Sequence, residues 1–366
     1  MATTKKKAKK ASKKKVLKRK PKRPAGVDAP KKAKRGYKPS VISTFAGGGG
    51  SSTGYHQAGC RELLAVEWDA NACEVLRTNY PEVDVYEGDI GKLSVKEALE
   101  RTGLKKGELD IFDGSPPCQG FSMSGKRSLS DDRNQLFREF VRLLKGLQPL
   151  AFVMENVTGM VRGKMRLSFK EILQTLEKAG YVVRARILNA ASFGTPQLRE
   201  RVIFIGARKD LGIVPTHPEP THTHCPTTRK AIEGVPAEDE EAKAPRLEGI
   251  SLACWARVKP GKPYSVVHPK GHCFNLSKAD PNKPSRTIMK TARFDSWGCG
   301  VVHWKEPRAL TIPELKRLGG FPDDYKFLGS FEDRWARIGN CVPPPLIKAV
   351  AEHVKKTIII PARGRK

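Results

Sequence analysis

From Val41 to Ala207 the chain repeats one pattern: a short apolar run, a cluster of Gly, Pro or acidic residues, then a stretch with helical spacing. The runs are Val41–Phe45, Leu63–Val66, Val83–Tyr86, Leu109–Phe112, Leu150–Met154, Tyr181–Asn189 and Arg201–Ala207. Helical spacing occurs from about Ser51, over Asn71–Asn79 and Gln135–Leu147, and over Phe169–Ala179, which Gly180 closes. Strands alternating with amphipathic helices predict a doubly wound α/β sheet, because each helix must cover a sheet face before the next strand can pair. Open sheets of this kind bind ligands just beyond the carboxyl ends of their strands. Here those places hold Gly47–Gly50, Glu67, Asp89, Cys118 and Glu155.

After about Leu211 the pattern breaks. Residues 211–306 are rich in Pro, His, Gly and Lys, with an acidic patch at Glu238–Glu241, and read as a second, smaller, irregular domain. Helical spacing returns after Ala309, with Thr311 as N-cap, Pro313 in the first turn and Gly319-Gly320 as the stop. The expected layout is a catalytic and cofactor-binding domain over 41–210, completed by 336–366, with 307–335 as a hinge region. Within that last part, Gly339–Pro345 reads as a loop and Leu346 begins a helix.

Charge bounds the partners. The chain carries 68 Lys and Arg against 38 Asp and Glu, a net charge of +30. Residues 1–40 hold 18 of the cations and one acid, Asp28. So Lys-rich a segment cannot bury enough apolar surface to offset its ordering entropy, so it is expected to be disordered. Its expected partner is nucleic-acid phosphate, bound by counterion release; a solvated tail or a localisation signal is the alternative. Eight cysteines in 366 residues are too few for a disulfide scaffold and suit a reducing compartment. The charge-free stretch from Pro39 to Cys60 is full of Gly, Ser and Thr, so no membrane span is expected, and the basic N-terminus lacks the apolar core of a secretory signal.

Two sites emerge. Phe45-Ala-Gly-Gly-Gly-Gly50 follows a strand, and glycines there let backbone approach a ligand closely. Glu67 ends the next strand, where an acid commonly holds ribose hydroxyls, and Asp89 could accept from an exocyclic amine. There is no phosphate-binding loop with Lys-Ser/Thr, which argues against a triphosphate, while NAD stays open on spacing alone. The second site is Asp113-Gly-Ser-Pro-Pro-Cys118-Gln-Gly-Phe-Ser, a loop stiffened by two prolines that suits a nucleophile held in place. Glu155-Asn156 follows a strand and offers a carboxylate, and Gln197-Leu-Arg199-Glu-Arg201 adds two guanidiniums that share one face if extended.

Taken together, Phe45–Gly50, Glu67-Trp68, Gly88-Asp89-Ile90, Pro116-Pro117-Cys118-Gln119, Glu155-Asn156-Val157, Gln197-Leu-Arg199-Glu-Arg201 and Gly339-Asn340 resemble, in order and spacing, the motifs of DNA (cytosine-5)-methyltransferases. The resemblance runs from about Val41 to Val354. It implies a Rossmann-like fold of the S-adenosylmethionine-dependent methyltransferase type, with 211–306 as a target-recognition domain. It also implies S-adenosyl-L-methionine as cofactor, held by Phe45, Gly47, Gly49, Gly50, Glu67, Trp68, Asp89, Ile90, Pro117, Leu136 and Asn340. Catalysis would fall to Cys118 as nucleophile, Glu155, Arg201 and its neighbour Arg199. The implied substrate is cytosine in double-stranded DNA, flipped from the helix, with Phe121–Arg133 as the loop closing over it and Thr287-Ile288 matching a short motif of the recognition domain. One departure is Ser43, where the family usually carries an acid two residues before the Phe.

The expected protein acts as a monomer. It would be cytoplasmic and nucleoid-associated in a bacterial or phage source and nuclear in a eukaryotic one. No metal is expected. His217, His222, His224 and Cys225, like His268, His272 and Cys273, only weakly suggest zinc. The alternatives are an RNA cytosine-5 methyltransferase on this scaffold and a catalytically inactive DNA-binding protein.

Overall fold

The computed structural model describes residues 36–117, 135–161, 166–235, 244–272, 275–294 and 298–364. The first unit runs β1 (Ser40–Thr44), α1 (Gly50–Gln57), β2 (Arg61–Glu67), α2 (Ala70–Asn79), β3 (Asp84–Glu87), α3 (Val95–Thr102), β4 (Ile111–Gly114), α4 (Gln135–Leu147), β5 (Ala151–Val157), α5 (Arg166–Lys178), β6 (Tyr181–Asn189) and β7 (Glu200–Arg208). The seven strands form one sheet in the order β3-β2-β1-β4-β5-β7-β6. The first five are parallel, and β7 pairs antiparallel with both β5 and β6. The expected doubly wound mixed sheet is therefore the observed one. The chain reverses its winding between β1 and β4, which makes that crevice the topological switch point.

Period-two alternation assigns the two faces. Val41, Ile111, Val153 and Ile205 face one core with Tyr55 of α1. Ile42, Phe112, Phe152 and Phe204 face the other, with Phe140 and Leu144 of α4 and Leu176 of α5. Burying such side chains fully stabilises the fold by about 1.5–3 kcal/mol each. Phe152 meets Phe140 at 6.2 Å and Tyr181 at 5.2 Å between ring centroids. Its register partner is Gly206, where a Cβ would lie 2.0 Å from the Phe152 ring.

The second unit contains α6 (Thr228–Ile232), α7 (Gly249–Arg257) and a parallel pair, β8 (Asn275–Lys278) with β9 (Cys299–Val302). It is followed by α8 (Ile312–Gly319), α9 (Phe331–Asn340), α10 (Pro344–Val354) and α11 (Ile360–Arg363). α8 carries the expected Thr311 N-cap, with Glu314 completing a capping box and Gly320 ending it in the left-handed region. α10 returns to the sheet and packs on α1, so closely that a Cβ on Gly54 would meet Ile347 at 2.6 Å.

Two elements differ from the sequence reading. Val95–Thr102 forms a helix, capped by Ser94, that the apolar pattern did not reveal, since only Ala98 is fully buried in it. Gly339 and Asn340, read as loop, end α9 instead. Ser330 and Asp333 start that helix with a capping box, and buried Trp335 and Ile338 hold it down. Gly339 is there because a Cβ would collide with the Met289 carbonyl at 2.2 Å. Among the described residues no helix is long and apolar enough to cross a membrane.

Candidate active site

A cavity of about 830 Å³ lies along the carboxyl ends of the parallel strands. Its walls come from the turns after β1, β2, β3 and β4, the end of β5, the start of β7, the segment 287–290 and the start of the return leg at 337–342. The antiparallel β7 matters here. It begins beside the end of β5, which brings a seventh strand's first residues to the mouth formed by the parallel ones.

The β1–α1 turn is strained where it meets the cavity. Phe45 has φ 56°, a conformation costing a bulky residue about 1–3 kcal/mol. Gly47 follows at φ 55°, and the place its Cβ would take is open, with only the Phe45 carbonyl as near as 4.0 Å. The Gly47 N–H donates to Glu67 Oε2 at 2.7 Å. Glu67 Oε1 accepts from the N–H groups of Trp68 and Asp69 at 2.9 and 3.0 Å. The carboxylate is thus pinned by backbone, with Oε2 left capacity for one more donor. Trp68 lines the cavity while 80% exposed and offers it a flat apolar face. Ile90 is buried in the same wall and the exposed Asp89 stands on its rim, one of its oxygens held by the Gly91 N–H. Leu136, Pro117 and Asn340 also line the cavity. Gly50 does too, while a Cβ on it would strike the Val342 carbonyl at 2.3 Å. Gly49 is elsewhere: it caps α1 at φ 80° and packs under the Tyr325 hydroxyl. A hydroxyl acceptor, an aromatic plate, an apolar wall and a carboxylate in this order fit an adenine nucleoside.

At the other end, Glu155 and Arg201 form an ion pair, with Nε to Oε1 at 2.6 Å, and both side chains are almost buried. Arg201 faces Val157 across the β5–β7 ladder, which puts it diagonal to Glu155 on the same face. Asn156 Nδ2 donates to the Pro116 carbonyl at 2.9 Å and so ties β5 to the loop after β4. Pro116 and Pro117 line the cavity. Cys118 and the loop Phe121–Arg133 lie outside the described residues.

Arg199 lines the same cavity but contacts backbone rather than Glu155. Its guanidinium donates to the carbonyls of Ile288 at 2.7 Å and Gly339 at 2.8 Å. Burial, reinforced by the Arg201 charge, pulls its pKa down to about 9. Gln197 works alongside it: its amide donates to the Leu318 carbonyl and accepts from the Ile288 N–H. These two side chains join the segment leading into β7 to Ile288 and to the ends of α8 and α9. Arg199→Met is expected to cost about 3 kcal/mol by leaving two buried carbonyls unpaired, a loss measured by the urea unfolding midpoint.

Several lining residues escaped the sequence reading. Arg337 donates to Asp69 Oδ2 at 2.8 Å, and Asp69 also caps α2 through the Ala72 N–H. The Cys341 sulfur packs against the β1–α1 turn, 3.4 and 3.3 Å from where a Cβ on Gly48 or Gly50 would sit, and burial pushes its thiol up to about 11. Met289 and Lys290 add to the wall. The N-cap pattern of Asp69 was the only local sign of any of these. Among the described residues no three His, Cys, Asp or Glu side chains gather as a metal would require. His217 Nε2 meets the Ile203 carbonyl, His222 the Thr221 hydroxyl, and the Cys225 thiol donates to the Thr195 carbonyl. Cys273 lies outside the described residues.

Comparison with known proteins agrees with this geometry. The Type II methyltransferase M1.HphI of Haemophilus parahaemolyticus is 38% identical over 332 residues, covering 87% of each chain. M.NgoFVII of Neisseria gonorrhoeae is 33% identical over 334 residues, covering 87% of this chain and 86% of its own. Among solved structures, a candidate DNA modification methyltransferase encoded within an E. coli prophage superposes with a TM-score of 0.72 at 24% identity, over 87% of this chain and 99% of its own. S. pombe Dnmt2 methyltransferase does so with a TM-score of 0.63 at 17% identity, over 87% and 99%. Both structures share the fold. The family model of the C-5 cytosine-specific DNA methylases matches residues 40–356, from the first strand through the returning helix, and the chain belongs to that family as a DNA (cytosine-5-)-methyltransferase.

Proposed function

We propose that this chain methylates carbon 5 of cytosine at a specific sequence in double-stranded DNA. The donor is S-adenosylmethionine, and the target base is flipped out of the helix and joined transiently to Cys118. The observation that carries this reading is that one cavity holds a nucleoside-shaped wall at β2–β3 and a near-buried carboxylate–guanidinium pair at β5–β7, with Pro117 between them. Cys118 is the next residue of the chain.

Cytosine carbon 5 is a poor nucleophile. The Cys118 thiolate forms a bond to carbon 6, and the ring electrons move toward carbon 5. Glu155 holds ring nitrogen 3 and the exocyclic amine, where charge develops. Arg201 orients Glu155 and offers a donor to the ring carbonyl. When bound, S-adenosylmethionine supplies an electrophilic methyl group on a sulfonium. Loss of the carbon-5 proton and departure of Cys118 restore the aromatic ring. The target atoms are unreachable inside a duplex, which is why the base must leave the stack. The segment 211–306 would read base edges in the major groove, and the similarity to Type II methyltransferases suggests a site of the restriction–modification kind. The unit would act as a monomer.

Bisulfite sequencing of DNA from cells expressing the chain tests this directly. Methylated cytosine at one recurring sequence is expected. Unmodified DNA, with methyl incorporation into tRNA in a parallel assay, would overturn it in favour of an RNA substrate.

The basic tail joins the fold at the far side. Tyr37 and Ser40 bond the buried Asp110 carboxylate, which Arg363 also holds at 2.8 Å, at the end of β1 opposite the cavity. Deleting residues 1–35, which spares these anchors, is expected to leave the methylated sequence unchanged. The slope of log affinity against log salt should flatten by about 0.9 for each phosphate the tail had neutralised. Filter binding across a salt series measures it.

A further inference from the structure

The strand order sets out the cavity in sequence. β3 leads to Asp89 and Ile90, β2 to Glu67 and Trp68, β1 to Phe45 and Gly47, β4 to Ser115–Pro117, and β5 to Glu155. A cofactor with its base at β3 and its ribose at Glu67 has its remaining arm over β1 and β4, at the switch point. Beneath that span lies a carboxyl that the reaction above does not use. Asp113 of β4 is the register partner of Ser43 of β1, so both side chains leave the same sheet face, the one covered by α1. Asp113 is 3% exposed. The Tyr55 hydroxyl donates to its Oδ1 at 2.9 Å. Ser51 stands in the first turn of α1 and lines the cavity. Ser43 is wholly buried, and its Oγ finds no hydrogen-bond partner among the described residues. Burial, with Glu62 and Glu155 adding to it, pushes the Asp113 carboxyl up to about 8 against the opposing Tyr55 bond and the nearby Ser51 hydroxyl. At neutral pH it is therefore mainly a neutral acid, able to donate as well as accept.

We infer that Asp113 is a positioning residue for the cofactor: by holding Tyr55 from beneath it sets α1, whose first turn presents Ser51 to the arm over β1 and β4. It does from β4 what a carboxyl at position 43 would do from β1. The Ser51 oxygen offers lone pairs to a cationic donor on the ligand, such as an ammonium. This inference rests on the S-adenosylmethionine reading above.

The test is calorimetric binding of S-adenosylmethionine to the full-length chain and its variants without DNA, with a thermal melt of each. Asp113→Ala and Ser51→Ala should each weaken binding about tenfold, the scale of one hydrogen bond. The double variant should be little weaker than either single one, because the two residues act as a unit. Asp113→Asn, which keeps an acceptor and a donor in place, should recover most of the loss, as should Ser43→Asp combined with Asp113→Ala. Wild-type affinity in Ser51→Ala, or losses that multiply in the double variant, would overturn the inference. If Asp113→Ala does not fold, Ser51→Ala alone and the Ser43→Asp/Asp113→Ala pair decide it by the same criteria. A wild-type chain that binds no S-adenosylmethionine would instead defeat the donor reading, and this one with it.

Discussion

Replacing Cys118 by Ser is expected to abolish methyl transfer, by about 10⁴-fold or more, the scale seen when a covalent nucleophile is removed. The hydroxyl is nearly isosteric, but its proton is held far more tightly than a thiol's, and it adds poorly to carbon 6 at neutral pH. Cofactor affinity should survive, because the nucleoside wall is built from β1, β2 and β3, while Cys118 follows β4. Two measurements check this: transfer of labelled methyl to DNA, and calorimetric binding of the cofactor. A third separates a covalent role from a positioning one. DNA carrying 5-fluorocytosine cannot release fluorine as a proton is released, so the wild-type adduct should persist through denaturing electrophoresis, and the Ser variant should form none. Turnover at the wild-type rate in Cys118→Ser would end the covalent reading.

The second large effect is expected at Glu155. Glu155→Gln keeps the shape of the side chain and one acceptor for Arg201 but cannot place a proton on ring nitrogen 3. A loss of about 10²–10⁴-fold in the single-turnover rate follows, with cofactor affinity unmoved. The pair is nearly dry, with side-chain exposures of 13% for Arg201 and 11% for Glu155. Glu155→Ala would leave that guanidinium buried without its partner, and breaking a buried pair can cost about 3–5 kcal/mol. The Gln variant is therefore the informative one, because its rate reports chemistry rather than unfolding. An unchanged single-turnover rate in Glu155→Gln would make the pair a structural strut.

How far these sites were legible in the chain depended on the range of the contacts. Gly47, Glu67 and Asp89 stand at or just after their strand ends, so a period-two pattern and a count of residues sufficed to bring them to one edge, while Phe45, Trp68 and Ile90 were legible only through the family resemblance. Glu155 was legible from its own strand end. Arg201 was seen as a cation near a strand, but its contact with Glu155 required β7 to insert antiparallel between β5 and β6, and no local periodicity states that. Arg199 reads as a twin of Arg201 in the sequence. In the structure its fork closes on two carbonyls from distant segments. The Asp69–Arg337 pair, Cys341 and the Ser43–Asp113 register depend on contacts across dozens to hundreds of residues. The helix Val95–Thr102 was missed because it packs with little buried surface of its own.

The sequence by itself determined the doubly wound architecture, the edge on which the chemistry gathers and the residue types gathered there, since alternation and strand-end placement are local properties of a chain. Tertiary structure alone decided which guanidinium pairs with Glu155 and which braces the scaffold, and which acid is buried beneath the β1 and β4 strand ends. Those roles follow from burial and from partners that meet only when the antiparallel strand and the returning helices close over the switch point.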